Sequence, residues 1–109
     1  MTDMVLTYIT CESVEQAKQI GRDLMEKRLC ACVNIFPEMF PMVFWPAKAN
    51  MIEEGKEVVL IAKTLESKYA ALEEEVNKIH SYEIACIFSI PVTHVSQKYY
   101  DCLKGELEV

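Results

Sequence analysis

Between Glu57 and Lys63 the chain reads E-V-V-L-I-A-K, with a charge at each end and only apolar side chains between. Successive residues of a strand point to opposite faces of its sheet, so both faces of this strand are apolar. Ile84 to Ile90 (I-A-C-I-F-S-I) has the same character, with Ser89 its one polar residue. An antiparallel sheet that keeps one face in water alternates apolar with polar residues, whereas a continuous apolar run needs cover on both sides. Any fold for this chain has to provide that second cover.

The remaining segments say how much the chain supplies itself. Met4 to Thr10 is rich in β-branched and aromatic residues and reads as a first strand. Ser13 followed by Gln16 is a capping-box pattern, and Val14, Ala17, Ile20, Leu24 and Met25 recur at helical spacing, for a helix ending near Leu29. Cys30 to Phe36 reads as the second strand. Pro37 and Pro41 mark an edge or bend, Met42 to Trp45 is extended, and Pro46 to Lys56 is a long connection. After Glu57 to Lys63, Thr64 or Ser67 can cap a helix striped by Tyr69, Leu72, Val76 and Ile79 and closed by His80 and Ser81. Ile84 to Ile90 is the last main strand, stopped by Pro91, and Val95 to Leu107 forms a short terminal helix.

This order, β-α-β-β-α-β plus a helix, predicts an α+β, ferredoxin-like antiparallel sheet with two helices on one face and a long hairpin between its second and third strands. With no linker, repeat or low-complexity run, residues 1–109 read as a single domain. Two helices cover one face only, and 109 residues leave nothing to cover the other. The second cover is expected from further copies of the chain.

The net charge of −6 argues against a nucleic-acid partner, which needs a basic face, and it permits cations. No apolar stretch approaches the roughly 20 residues of a membrane span, and no export signal precedes the first strand. Five cysteines, an odd set without a disulfide framework, suit a reducing compartment, so a cytoplasmic location is expected.

Several residues bear chemistry, each with two readings. Cys30 and Cys32, two apart on a strand, would share a face and offer two thiolates to a soft ion, or else fill core. His80 at a helix end, beside Tyr82 and Glu83, offers imidazole and carboxylate to Cu(II) or Zn(II), or caps carbonyls. Trp45, Tyr82 and Tyr99 either line a cleft or pack an interface. Glu57 and Lys63 flank one strand, open to a ligand or to neighbours. His94 reads as an exposed loop residue. There is no nucleophile elbow, phosphate-binding loop or H-E-x-x-H motif, so no enzymatic activity is expected.

Four segments taken in order resemble the CutA family of divalent-cation tolerance proteins. They are Arg28-Leu-Cys-Ala-Cys-Val-Asn-Ile35; Trp45, Glu57 and Lys63-Thr64; His80-Ser-Tyr-Glu83; and Ile90-Pro-Val92 with Tyr99. The resemblance implies a homotrimer with clefts between protomers, similar in outline to the PII signalling trimers. It also implies divalent-cation binding, copper especially, with His80, Cys32 and Glu83 as metal residues and Trp45, Glu57, Lys63, Tyr82 and Tyr99 around the cleft. The alternative it leaves is a PII-like trimer that senses a small ligand and has no metal role. The sequence departs from the family pattern at Ser81 (usually proline), at Ala85-Cys86 (usually proline and glutamate) and at Cys102 (usually tryptophan).

Overall fold

The computed structural model describes residues 2–108. Its elements are β1 (Met4–Cys11), α1 (Val14–Glu26), β2 (Cys32–Met39), β3 (Met42–Phe44), β4 (Ile52–Glu54), β5 (Glu57–Leu65), α2 (Tyr69–Ile79), β6 (Ile87–Pro91) and α3 (Gln97–Leu107), with a 3-10 turn at Glu66–Lys68 before α2. Four strands form an antiparallel sheet in the order β2-β5-β1-β6, and β3 and β4 pair as a separate small hairpin. This is the ferredoxin-like order expected; of the two continuous apolar runs, the one in β5 is central and the one in β6 lies at an edge. Pro37 and Pro91, which cannot donate ladder bonds, fall on the edge strands β2 and β6.

Register sorts the side chains by face. Val58, Leu60 and Ala62 of β5, opposite Cys11, Ile9 and Thr7 of β1, point to one side, where they join Ala17, Ile20 and Leu24 of α1 and Leu72 and Val76 of α2 in one core. Glycine at position 21 brings α1 close to β2, since a Cβ there would stand 3.2 Å from a Val33 methyl. On the opposite side α3 covers only one end of the sheet, where Leu103 and Leu107 pack on Met4 and Leu65. The rest of that side carries Tyr8, Phe36, Val59, Ile61, Phe88 and Ile90, with Phe36 50%, Phe88 44% and Ile90 43% exposed.

Several elements differ from expectation. Helix α1 stops at Glu26: Arg28 adopts a left-handed φ of 55°, and the Leu29 N–H returns to the Leu24 carbonyl at 2.9 Å, closing the helix end. Cys30 therefore lies before β2, outside the pleat, so the alternation that would align it with Cys32 has not begun. It is buried with Val33 and Ile35 in the helix-side core. Neither Thr64 nor Ser67 caps α2. Thr64 belongs to β5, where its hydroxyl donates to the Leu29 carbonyl at 2.7 Å, and no side chain caps α2. The connection after Trp45 contains a strand, β4. Ile84 to Cys86 is not strand, for that segment crosses the end of β1 with only the Thr10 N–H to Cys86 carbonyl bond, at 3.3 Å.

Candidate functional site

At the end of α2, His80 leaves the helix with extended backbone while its N–H still reaches the Val76 carbonyl at 2.8 Å. Its ring turns inward against β1 and is only 9% exposed. Nε2 lies 2.7 Å from the Thr10 carbonyl, and Nδ1 is 3.1 Å from the Tyr82 amide nitrogen. A carbonyl can only accept and an amide N–H can only donate, so the proton sits on Nε2 and Nδ1 is the acceptor. Both ring nitrogens are spent on backbone groups. The consequence is positional: His80 fixes the 80–82 turn against β1 and delivers Tyr82 to the cleft. Gln16 braces the turn from behind. Its Nε2 donates to the Ser81 hydroxyl at 2.7 Å while its Oε1 accepts the Glu12 N–H at 2.8 Å.

The Tyr82 ring lies 4.6 Å from that of His80, centroid to centroid, and its hydroxyl donates to Glu57 Oε2 at 2.8 Å. Burial and the Glu57 carboxylate that accepts its proton hold the Tyr82 hydroxyl well above the usual phenol range. The same carboxylate acts on its surroundings. Burial first, and then Glu57, push the Cys86 thiol up, and they push Cys11 up to about 11.

Around this pair the β3–β4 hairpin and the 82–86 segment enclose a cleft of about 560 Å³, lined by Trp45, Glu57, Tyr82, Glu83 and the apolar Pro41, Val43 and Ile84, with Glu53 and Glu54 on its hairpin wall. Trp45, Glu57, Tyr82 and Glu83, singled out from sequence, are thus brought together. The cleft carboxylates Glu53 and Glu54 were missed. Their signal is an acidic pair just before Gly55, which marks a turn with its acids on the strand leading in.

Lys63, Tyr99 and Cys32 lie elsewhere. Cys32 sits opposite Lys63 in the register, and the Lys63 Nζ stands 5.4 Å from the Tyr99 ring centroid. Burial and the neighbouring Cys32 thiol push the Tyr99 hydroxyl up, against the pull of Lys63. Lys63 pairs across the sheet with Leu6, four residues before Thr10 on β1. The two clusters are therefore separated by roughly 13 Å of strand at about 3.3 Å per residue. Within one protomer Cys32 does not meet His80. Among the described residues no three His, Cys, Asp or Glu side chains are placed to hold one metal ion. His94 is exposed, its Nδ1 3.1 Å from the Thr93 hydroxyl.

Residues 5–106 match the family described as CutA1 divalent ion tolerance protein. The divalent-cation tolerance protein CutA of Thermotoga maritima is 41% identical over 101 residues, covering 93% of this chain and 96% of that protein. The human protein CutA is 40% identical over 101 residues, but the match covers only 55% of its length, so the chain spans about half of that relative. A solved CutA structure from Archaeoglobus fulgidus, described as a periplasmic divalent cation tolerance protein, superposes with a TM-score of 0.90 at 35% identity, over 95% of this chain and 98% of that one.

Proposed function

This chain belongs to the CutA1 divalent ion tolerance protein family, and from that premise we propose that it works as a homotrimer that binds divalent cations at the cleft beside Tyr82. The observation that carries the cation site is its charge. Four carboxylates, Glu53, Glu54, Glu57 and Glu83, line one cleft in a chain of net charge −6. The trimer is supported by the apolar side of the sheet that α3 leaves bare, and by a hairpin whose Met42, Phe44 and Ile52 are each more than 60% exposed. A cytoplasmic setting accords with five cysteines that are all free thiols. No helix among the described residues is long and apolar enough to cross a membrane.

The donors do not form a closed chelate within one protomer, which makes the ion a loosely held ligand rather than a resident cofactor. Glu83 and Glu57 supply the field. His80 reaches an ion only by giving up its bond to the Tyr82 N–H or the Thr10 carbonyl, and Cys32 joins only from across a subunit boundary. Copper, which heads the affinity order of the divalent first-row metals and takes imidazole readily, is the divalent ion best matched to the carboxylates and His80. No catalytic step is assigned to the chain.

Titration calorimetry of the reduced protein with Cu²⁺, Zn²⁺ and Mg²⁺ tests the reading. Binding of Cu²⁺ is expected to weaken in Glu83→Gln and His80→Ala. No heat with any ion, or unchanged affinity in both variants, would overturn it. A neutral metabolite that raises the melting temperature when no cation does would favour the small-ligand sensing trimer instead.

A further inference from the structure

The walls of the cleft offer more than a metal ion alone would use. At about 560 Å³ it has the size of a small-molecule pocket rather than an ion cage. Pro41, Val43, Trp45 and Ile84 offer hydrocarbon and an indole face, from which a bare ion gains nothing. Four carboxylates share the lining with these groups, and no three of them converge. The one lysine of the lining, Lys56, has its Nζ 3.4 Å from Glu38 Oε1 and 6.0 Å from the Phe40 ring centroid, neither of which lines the cleft. Its charge is partly countered there, and four carboxylates outnumber it around the cleft. Tyr82 keeps one oxygen of Glu57 occupied and so holds that carboxylate in place.

An aromatic and aliphatic chamber with carboxylates at its margin complements a cation that carries its own hydrocarbon. Ammonium groups pair with carboxylates by charge-assisted hydrogen bonds and lie favourably over indole and phenol faces. We infer that the cleft between the β3–β4 hairpin and residues 82–86 takes an organic ammonium ion, an amine or diamine with a short hydrocarbon body. This rests on the reading of the cleft as the cation site and names the class of cation that fits it.

Trp45, the only tryptophan, is both a wall of the cleft and its reporter. The experiment titrates the intact protein, at fixed ionic strength, with 1,4-diaminobutane, with neutral 1,4-butanediol, and separately with Mg²⁺ and Zn²⁺, following Trp45 emission and melting temperature. Diaminobutane is expected to shift the emission, raise the melting temperature and half-saturate at a lower concentration than Mg²⁺, while the diol does nothing. Glu83→Gln, at an exposed position, and Glu57→Gln, which still accepts the Tyr82 hydroxyl, are each expected to weaken diaminobutane by about tenfold, the scale of one lost charge-assisted bond. Equal responses to the diol and the diamine would overturn the inference, as would a diamine response unaffected by both variants. Metal responses with none to diaminobutane would overturn it while leaving the cation site standing. Silence from every cation would remove both.

Discussion

The two faces of the main sheet are built from the same four strands and the same kinds of residue, yet they are finished differently. On the helix side Ile9, Leu60 and Ala62 are fully buried beneath α1 and α2. On the other side their strand neighbours Tyr8 and Ile61 are only partly covered, and Phe36, Phe88 and Ile90 are open. Alternation along a strand guarantees two faces, but how each is sealed depends on what the chain has left to place there. Two amphipathic helices suffice for one face. The eleven residues of α3 close only the end marked by Met4 and Leu65. One face is thus finished by folding, and the proposed trimer finishes the other by association.

The comparison breaks most readily at Leu60, which no water touches. Leu60→Ala removes three carbons from between α1 and β2 and leaves a cavity that close-packed neighbours cannot fully collapse. A loss of about 2–5 kcal/mol is expected in urea unfolding. A loss under about 1 kcal/mol would mean that the helix side is no better packed than the open side.

Alkaline pH probes the same core through its thiols. Burial pushes Cys30 up to about 12 and Cys11 up to about 11, each from an ordinary value of 9.0. The unfolded chain therefore releases these protons first as pH rises. The stability they contribute is fully present below pH 9 and is lost through 11 and 12. The expected slope is about 1.4 kcal/mol per pH unit for each thiol. Cys30→Ala should flatten the fall in urea midpoint above pH 9, and an unchanged slope would show that this thiol is not desolvated.

These contrasts were partly legible before any coordinates. The apolar runs at Glu57–Lys63 and Ile84–Ile90 pointed to a sheet apolar on both faces, because side-chain period and hydropathy are local properties. The structure covers one face and leaves Phe36, Phe88 and Ile90 open on the other, and the second run begins its strand only at Ile87. The helix caps were mixed: Ser13 accepts the Gln16 N–H as the pattern implied, whereas Thr64 turns its hydroxyl to Leu29, a partner 35 residues away that no local window contains. The misplacement of Cys30 has the same root. Its orientation is set by the left-handed Arg28, and a non-glycine residue in that conformation carries no composition signal. In the site, Trp45, Glu57, Tyr82 and Glu83 were named from resemblance and do gather. Within one protomer Lys63, Tyr99 and Cys32 lie apart from them, since sequence order says nothing of which end of a strand a residue occupies. Glu53 and Glu54 escaped because their short strand was hidden in a loop rich in turn signals.

Arg28 joins the two sides and tests how firmly. Its guanidinium spans from the end of α1 to α3, donating to the Glu106 carbonyl at 3.0 Å and to its carboxylate at 2.7 Å. Both side chains are about half exposed, so the pair is worth no more than about 1 kcal/mol. The left-handed backbone costs a non-glycine residue roughly 1–2 kcal/mol. Arg28→Ala keeps that cost and loses the pair, for a net loss of about 1 kcal/mol. Arg28→Gly loses the pair but relieves the backbone and should be close to neutral. Both variants lose the strap between α1 and α3, so if glycine were as damaging as alanine in thermal unfolding, the left-handed backbone at position 28 would carry no conformational cost.

Phe88 combines a small expected effect on the protomer with the sharpest contrast between the faces. Its ring stacks on Tyr8 at 4.8 Å and the residue is 44% exposed. Phe88→Glu should therefore cost the isolated chain only about 1 kcal/mol, the worth of one aromatic pair. A carboxylate on the face that the proposed trimer would bury against sister chains cannot be desolvated without a partner. The expected result is a folded particle of one 12.5 kDa chain in light scattering, with the helical signal in circular dichroism intact. Two other results count against the contrast between faces. If Phe88→Glu unfolds the chain as Leu60→Ala is expected to, the open face is as necessary to the protomer as the covered one. If the variant and the unaltered protein have the same mass, association does not use this face, and the bare aromatic surface needs another explanation.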